Sequence, residues 1–203
     1  MLVTAPLRVV ELLAARLCHD LISPVAAIAN GAELLGEDDP DFVREAVALV
    51  SNSARDANTR LQFFRFAYGF GGGGLAGPAP HLLAAEYFAG SLTRCDYGEA
   101  ARALPLAEQK LACAMLLVAS QALPRGGRLV VGVGAGGPVI DAIGDATSLP
   151  AEMRAALAQE TDPNELTTRT APACFAGLLA AAQGRLLVET GRPGGFRLAA
   201  TLR

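Results

Sequence analysis

The chain has 203 residues, of which 52% are hydrophobic, and a net charge of −3 at pH 7. Nucleic-acid binding is driven largely by Lys and Arg contacts to phosphates, so this charge balance argues against a nucleic-acid partner. No segment reaches the ~20 uninterrupted apolar residues of a membrane span, and the N-terminus does not read as a signal peptide. We therefore expect no membrane partner.

The cysteines point to a reducing compartment. Cys18, Cys95, Cys113 and Cys174 are far apart in the sequence and form no C-x-x-C pair. Cys113 and Cys174 lie in apolar helical segments, where a free cysteine behaves as a small hydrophobic residue. We predict reduced thiols and a cytoplasmic protein.

The first predicted element is a helix from Leu7 to Leu35, which Gly36 ends. Its apolar stripe follows three- and four-residue steps, with Pro24 and Gly31 filling the gaps. The stripe consists of Leu7, Val10, Ala14, Leu17, Leu21, Ile28 and Leu35.

A second helix follows after a short loop, with Asp39 as the predicted N-cap and Pro40 in the first turn. Its apolar positions alternate steps of four and three, as in a heptad pattern. They are Val43, Val47, Val50, Ala54, Ala57, Leu61, Phe64 and Tyr68. Two antiparallel helices cannot cover both stripes, so we predict a homodimer in which two hairpins form a four-helix bundle. The alternative is that the hairpin packs on the rest of its own chain.

The best domain boundary is a glycine- and proline-rich linker over residues 70–80. It separates a helical hairpin, residues 1–69, from a second domain, residues 81–203. In that domain we predict helices over 81–93, 106–123, 149–160 and 172–183. Strands are predicted at Arg128–Val133 and Pro138–Ala142, and over 185–190 and 196–202. This order predicts a mixed or antiparallel sheet with helices on one face.

A dinucleotide site is a weak possibility in the second domain. Residues 132–137 fit the pattern G-x-G-x-x-G after a strand. A dinucleotide site needs a helix to begin there, because the helix N-terminus binds the pyrophosphate. Pro138–Asp141 reads as a second strand, so we interpret these glycines as a hairpin turn.

His19 is the main candidate functional residue. On a helix its side chain points roughly 165° away from the mean direction of the apolar stripe, towards solvent. Its neighbours one turn away include Ala15 and Ile22, an unusual choice for a face in water. Pro24, one turn later, costs about 3 kcal/mol inside a helix, and a kink there would expose the imidazole. Asp20 can orient the ring and favour the tautomer with a free Nε2 atom.

His19-Asp20-Leu21-Ile22-Ser23-Pro24 resembles the H-box of the dimerisation and phosphotransfer helices of histidine kinases. The resemblance extends to the second domain, where residues 110–131 and 173–202 resemble parts of the kinase ATP-binding domain. It implies a fold of the α plus α/β class. The hairpin would form a four-helix bundle on dimerisation and be followed by a mixed α/β sandwich of the Bergerat type.

The departures from the kinase pattern concern the nucleotide. The positions of two asparagines that hold Mg²⁺ and phosphate are Leu117 and Gln121 here. The D-x-G-x-G box is replaced by residues 141–145, and the glycine-rich lid is replaced by residues 170–173. A leucine offers no metal ligand, and the glycine amides that would bind phosphate are gone. We therefore expect no ATP and no other bound cofactor or metal.

A hairpin with a working histidine and a degenerate ATP-binding domain resembles the ChpT family of histidine phosphotransferases. This implies that His19 accepts phosphate from the receiver domain of a hybrid histidine kinase and passes it to response regulators of a cell-cycle relay. The receiver would supply Mg²⁺. We expect Asp20 to orient the ring and Ser23 to line the approach. The expected docking residues are Leu12, Ala15, Arg16, Ile22 and Ala26.

Two alternative functions remain. One is an ATP-dependent histidine kinase without a sensor, and the other is a dimeric module that binds response regulators without chemistry.

Overall fold

The structure is a computed structural model that describes residues 5–69, 77–145 and 148–202. Most of the predicted linker therefore lies outside the described residues. The elements on either side are helices, ending at Tyr68 and beginning at Pro80.

The N-terminal part is the predicted helical hairpin, made of α1 (Ala5–Leu34) and α2 (Pro40–Tyr68). The side chain of Asp39 caps α2 by accepting a hydrogen bond of 2.8 Å from the amide of Asp41, which confirms the predicted cap. The helices approach closely at Gly31, where an added Cβ atom would lie 2.7 Å from Cγ2 of Val50. Any side chain there would force Val50 or the helices to shift, so glycine allows this close approach.

The rest of the chain forms a five-stranded sheet with helices. The elements are α3 (Pro80–Ala89), β1 (Thr93–Tyr97), α4 (Glu99–Arg102), α5 (Leu106–Ser120), β2 (Gly127–Gly134), β3 (Gly137–Ile143), α6 (Ala151–Leu157), a 3₁₀ turn (Pro163–Glu165), α7 (Ala171–Ala182), β4 (Arg185–Arg192) and β5 (Gly195–Leu202). The sheet order is β1-β2-β3-β5-β4, with β1 parallel to β2 and the other pairs antiparallel. The predicted mixed sheet is confirmed, although the prediction missed β1 and α4.

The helices cover one face of the sheet. Because side chains alternate along a strand, one set of positions is buried under α5 and α7. This set includes Leu129, Val131, Ile140, Ala142, Phe196, Leu198 and Ala200. Asp141 and Arg197 lie on the opposite face, where the guanidinium donates two hydrogen bonds of 2.7 and 2.6 Å to the carboxylate.

The glycine-rich segment after β2 is a hairpin turn, as predicted. Gly134 pairs with Gly137 at the end of the antiparallel β2–β3 ladder. Gly137 has a φ of 125°, which favours glycine. Since a strand and not a helix follows, the segment lacks the geometry of a dinucleotide site.

The hairpin packs against the α/β part of its own chain. The ring of Phe63 in α2 stacks on Tyr87 of α3 with centroids 4.4 Å apart, and Tyr68 meets Phe175 of α7 edge-on at 5.3 Å. Buried residues of both parts belong to one continuous hydrophobic core. The alternative of packing on the same chain therefore holds for part of the hairpin surface.

Another part of the hairpin surface is apolar and exposed. On α1 the exposed residues include Leu7, Val10 and Val25, and on α2 they include Val47 and Leu61. All of these except Val25 belong to the predicted stripes. Their exposure leaves an apolar surface available for a second copy of the chain.

Helix α1 is also long and apolar enough over Leu7–Leu34, by length and composition, to cross a membrane. This finding differs from the expectation that no segment is apolar enough. However, the helix carries an Arg16–Asp20 ion pair and an exposed imidazole near its middle, groups that are costly in hydrocarbon. It also packs along α2 and against α7.

All four cysteines are free thiols, as expected. Cys113 in α5 and Cys174 in α7 are buried, which fits their placement in apolar helical segments. Burial raises the pKa of both thiols, so they remain protonated and serve as small core residues.

Candidate functional site

His19 lies near the middle of α1 and projects into solvent. Its side chain is 87% exposed, which confirms the orientation predicted from helical geometry. An exposed imidazole on a rigid helix contributes nothing to the core, but it is accessible to a large reaction partner. The position therefore fits a reactive group that a second protein approaches.

The carboxylate of Asp20 lies beside the imidazole. The Nδ1 atom of His19 is 3.2 Å from Oδ1 of Asp20. With Nδ1 protonated, the ring donates this hydrogen bond and leaves the Nε2 lone pair free. The Asp20 side chain is only 19% exposed, so the imidazole is tied to a group that is itself largely held in place.

Asp20 is in turn linked to Arg16, one helical turn earlier. The Nε atom of Arg16 lies 3.5 Å from Oδ2 of Asp20. One amino group of Arg16 reaches the second part of the chain, where it donates to the side-chain oxygen of Gln121 at 3.1 Å and to the carbonyl of Thr168 at 3.3 Å. His19 is therefore connected, through the side chains of Asp20 and Arg16, to the C-terminal end of α5 and to the loop before α7.

Tyr68 at the end of α2 and Tyr87 in α3 lie close enough to the Arg16–Asp20 pair for its charges to affect their pKa values. Burial raises the pKa of Tyr68, and the charge of Arg16 opposes this shift. Burial also raises the pKa of Tyr87, and the carboxylate of Asp20 adds to the shift. Both phenols thus stay neutral at physiological pH.

Pro24 lies inside α1 without interrupting it. The helix continues to Leu34, and Pro24 itself is buried. Because proline has no amide hydrogen, the carbonyl of Asp20, the residue after His19, lacks its usual helical donor. Ser23, which precedes Pro24 and lies four residues after His19, is exposed on the same side of the helix as the imidazole.

Three of the five predicted docking residues share the exposed surface around His19. Ala15, Ile22 and Ala26 are exposed, and the side chain of Ile22 is 65% exposed. Each lies three or four residues from His19 or from another of the three, on one helix face. We call Ala15, His19, Ile22, Ser23 and Ala26 the acceptor face.

The other two predicted docking residues are placed differently. Leu12 is buried at 8% exposure in the continuous core, because α1 packs there against the same chain, so it is removed from the docking surface. The Arg16 side chain is 27% exposed, and its guanidinium is engaged by Asp20, Gln121 and Thr168. It is therefore part of the support beneath the acceptor face.

The sequence prediction missed the residues that support the site from outside α1. The sequence identifies Gln121 only as a departure from the kinase pattern. It contains no pattern that predicts a role for Thr168 or Tyr87. Gln121 lies 105 positions from Arg16 in the sequence, and Thr168 lies 152 positions from it. Such pairs cannot be read from helical spacing.

The positions that would hold a nucleotide in kinases have other contacts here. Leu117 is buried, and the amide of Gln121 donates to the carbonyl of Leu117 at 3.2 Å while its oxygen accepts from Arg16. Asp141 faces away from the helices, and hydrogen bonds from Arg197 lower its pKa. Among the described residues no group of three or more His, Cys, Asp or Glu side chains is arranged to hold a metal.

Comparison with known proteins identifies related sequences and structures. Residues 81–190 match the family described as the histidine phosphotransferase C-terminal domain. The protein phosphotransferase ChpT of Brucella abortus (strain 2308) is 45% identical over 125 residues, which cover 59% of this chain and 58% of that protein. The alignment therefore spans less than two thirds of the Brucella protein.

A similarity in structure covers nearly the whole chain. A bacterial phosphotransferase solved at 1.7 Å superimposes with a TM-score of 0.73 and 28% identity, over 95% of each chain. The likeness thus includes the hairpin that carries His19 as well as the α/β part.

Proposed function

The chain belongs to the histidine phosphotransferase family, and from this premise we propose that His19 is the phosphoacceptor of a multistep phosphorelay. The observation that carries the proposal is the exposed imidazole whose Nδ1 atom lies 3.2 Å from Asp20. In this relay the phosphoryl group comes from the receiver domain of a hybrid histidine kinase. It then passes to an aspartate of a response regulator in a cell-cycle pathway.

The chemistry needs only the imidazole and the partner's phospho-aspartate. The Nε2 lone pair of neutral His19 attacks phosphorus in line, so that an N–P bond forms while the P–O bond to the aspartate breaks. The aspartate leaves as a carboxylate, and the ring becomes a phosphoimidazolium that keeps its Nδ1 proton. Asp20 stabilises the positive charge of that ring through the existing contact. The second transfer is the same step in reverse.

The acceptor face is the proposed docking surface for receivers. Ala15 and Ala26 leave room for close approach, Ile22 offers exposed apolar area, and Ser23 borders the imidazole. Because phosphoryl transfer has a loose transition state, catalysis depends mainly on positioning and on charge stabilisation. We expect the receiver to bring the Mg²⁺ that neutralises the phosphoryl oxygens, as the resemblance to phosphorelay proteins implies.

We propose that the chain does not use ATP. The side chain of Gln121 is occupied by Arg16 and by the Leu117 carbonyl, and Leu117 fills a position where kinases have a metal ligand. Asp141, which stands at the start of the adenine box, is held by Arg197 on the other face of the sheet. These contacts favour a phosphotransferase over an ATP-dependent kinase without a sensor.

We also propose that two chains associate through the exposed apolar surface of the hairpin and form a four-helix bundle. Val10 and Val25 of α1 are 63% and 55% exposed, and Val47 and Leu61 of α2 are 51% and 52% exposed. Val47 and Leu61 are two heptads apart, and exposed apolar side chains at this spacing are typical of helix bundles. Burying α1 in such a bundle accounts for its apolar composition without a membrane, in keeping with a cytoplasmic protein.

The proposal is tested with a purified receiver domain that carries labelled phosphate on its aspartate. The wild-type chain should take up the label, and His19→Ala should take up none. A control substitution of the chain's other histidine, His81→Ala, should behave as wild type. Binding of the receiver without uptake of label would instead favour the interaction module. Uptake by His19→Ala would show that the acceptor is a different residue.

A further inference from the structure

We propose that the α/β part positions the phosphoacceptor through Gln121 and the loop before α7, which together hold Arg16. This inference rests on the proposed role of His19 and adds a function for the domain that follows the hairpin. The domain would serve as a rigid support for the reactive ring, in place of binding a nucleotide. Gln121 is then a positioning residue that acts through Arg16 and Asp20.

The contacts form an unbroken series from the α/β part to the imidazole. Gln121 accepts from Arg16 at 3.1 Å, Arg16 lies 3.5 Å from one oxygen of Asp20, and the other oxygen lies 3.2 Å from Nδ1 of His19. The side chains of Arg16 and Asp20 are only 27% and 19% exposed, whereas that of His19 is 87% exposed. The reactive ring is in water, and its support is largely shielded from it.

Both acceptors of Arg16 in the α/β part are themselves fixed. The amide nitrogen of Gln121 donates to the carbonyl of Leu117 at 3.2 Å, which ties the side chain to its own helix. The loop that contains Thr168 is closed by reciprocal hydrogen bonds between Thr167 and Thr170. The amide of Thr167 donates to the hydroxyl of Thr170 at 3.0 Å, and the amide of Thr170 donates to the carbonyl of Thr167 at 3.2 Å. Thr170 is buried at 4% exposure, so this loop is anchored in the core.

A planar guanidinium suits this position better than an ammonium group. Arg16 contacts an oxygen of Asp20 through Nε and two oxygens of the α/β part through one amino group. Lysine has one compact cationic group and cannot reach all three oxygens from one position. If Arg16 were free, Asp20 could rotate, and the imidazole would lose the hydrogen bond that selects its Nδ1-protonated tautomer.

The inference predicts a measurable change in the His19 ring when Gln121 loses its acceptor oxygen. In Gln121→Met the side chain keeps its length but cannot accept a hydrogen bond. We expect the imidazole ¹⁵N shifts of His19 to move towards those of a freely exchanging tautomer mixture, and the phosphotransfer rate to fall about fivefold. Gln121→Glu keeps an acceptor oxygen for Arg16 but loses the donor to the Leu117 carbonyl, so it should preserve both properties more fully than Gln121→Met does. His81 provides an internal reference in the same spectra.

A matched control is available at the opposite ends of the same two helices. The amide of Gln183, just after α7, donates to the carbonyl of Ala107 in the first turn of α5 at 3.1 Å. Gln183→Met therefore removes this hydrogen bond between α5 and α7, and one that Gln183 accepts from Arg185 at 3.2 Å, without touching Arg16. It should leave the His19 shifts and the transfer rate at wild-type values.

Arg16→Lys tests the same series from the hairpin side and should shift the His19 resonances as Gln121→Met does. Thermal unfolding of each variant establishes that the comparison is made on folded protein.

Wild-type ring shifts in folded Gln121→Met and folded Arg16→Lys would overturn the inference. Changed ring shifts with an unchanged transfer rate would overturn it as well. The ring shifts do not depend on phosphate, so they test this positioning even if the wild-type chain accepts none. Absence of wild-type uptake would refute the proposed function separately.

Discussion

The Nδ1 atom of His19 lies 3.2 Å from Oδ1 of Asp20, the next residue in the same helix. Consecutive residues on a helix point about 100° apart, so neighbours in sequence do not normally face each other. Here Asp20 points back towards the α/β part, where Arg16 holds its second oxygen, and the imidazole extends outward from the same carboxylate. The reactive imidazole of His19 thus lies in solvent, while the carboxylate of Asp20 that orients it lies inward and is held by Arg16.

Removal of the Asp20 charge should slow phosphoryl transfer while leaving receiver binding intact. In Asp20→Asn the side chain keeps its size, but it no longer stabilises the positive charge of the phosphoimidazolium. A hydrogen bond to a charged group contributes roughly 1.5–3 kcal/mol, so the transfer rate should fall about 10- to 100-fold. Rapid-quench kinetics measures the rate, and calorimetry measures the dissociation constant of the receiver complex. An unchanged rate would remove Asp20 from the mechanism.

A charge placed on the acceptor face should weaken receiver docking. Ile22 is 65% exposed, so Ile22→Asp should change the free energy of unfolding little. The same change should raise the dissociation constant for a receiver domain about tenfold, because an apolar contact at the interface is lost and a charge is buried. Leu92→Asp, at a residue 79% exposed outside the hairpin, is the control and should bind as wild type. Equal binding by the Ile22 variant would place the docking surface elsewhere.

The exposed apolar surface of the hairpin should control self-association. In the proposed four-helix bundle, Val10 and Leu61 are buried between two copies of the chain. Val10→Asp and Leu61→Asp should each convert the dimer to a monomer in sedimentation experiments, because an unpaired charge in a bundle core is strongly unfavourable. Leu92→Asp serves again as the matched control. A wild-type chain that sediments as a monomer at high concentration would refute the bundle.

The ion pair on the open face of the sheet should contribute to stability in a pH-dependent way. Hydrogen bonds from Arg197 lower the pKa of Asp141 in the folded protein, so the stabilisation is present above the unfolded-state pKa and is lost as pH falls through the folded-state pKa. Asp141→Asn should reduce the free energy of unfolding by about 1 kcal/mol at pH 7, and the difference should shrink below pH ~4.

Urea unfolding at a series of pH values measures this difference. Asp145→Asn is the control, since the side chain of Asp145 is 79% exposed and lies 3.9 Å from Arg125. It should change stability little at any pH. A difference for Asp141→Asn that stays constant from pH 7 to pH 3 would show that the ion pair does not account for its effect.

Local features of the fold were predictable because they depend on residues close in sequence. The Asp39 cap, the outward orientation of His19 and the β2–β3 hairpin all follow from spacing over a few residues. Strand β1 was missed because it has only five residues and the helix predicted over 81–93 extended to its first residue. Its parallel pairing with β2 is a contact between segments more than thirty residues apart.

The candidate site was predictable in its outer part only. Helical geometry placed Ala15, Ile22 and Ala26 around His19, and the structure exposes all three. Helical geometry alone could not predict that Leu12 is buried or that Gln121 binds Arg16. Both depend on how the hairpin packs against the α/β part. Packing between distant segments is decided by the complete fold.

The central claim is that His19 carries phosphate made by another protein, and the most direct test compares two phosphate sources. The chain is incubated with labelled ATP and Mg²⁺ alone, or with a receiver domain already phosphorylated on aspartate, and acid-labile, alkali-stable label is located by peptide mapping. We predict label on the peptide containing His19 from the receiver and none from ATP. Label from ATP alone, or receiver-derived label on any peptide without His19, would contradict it.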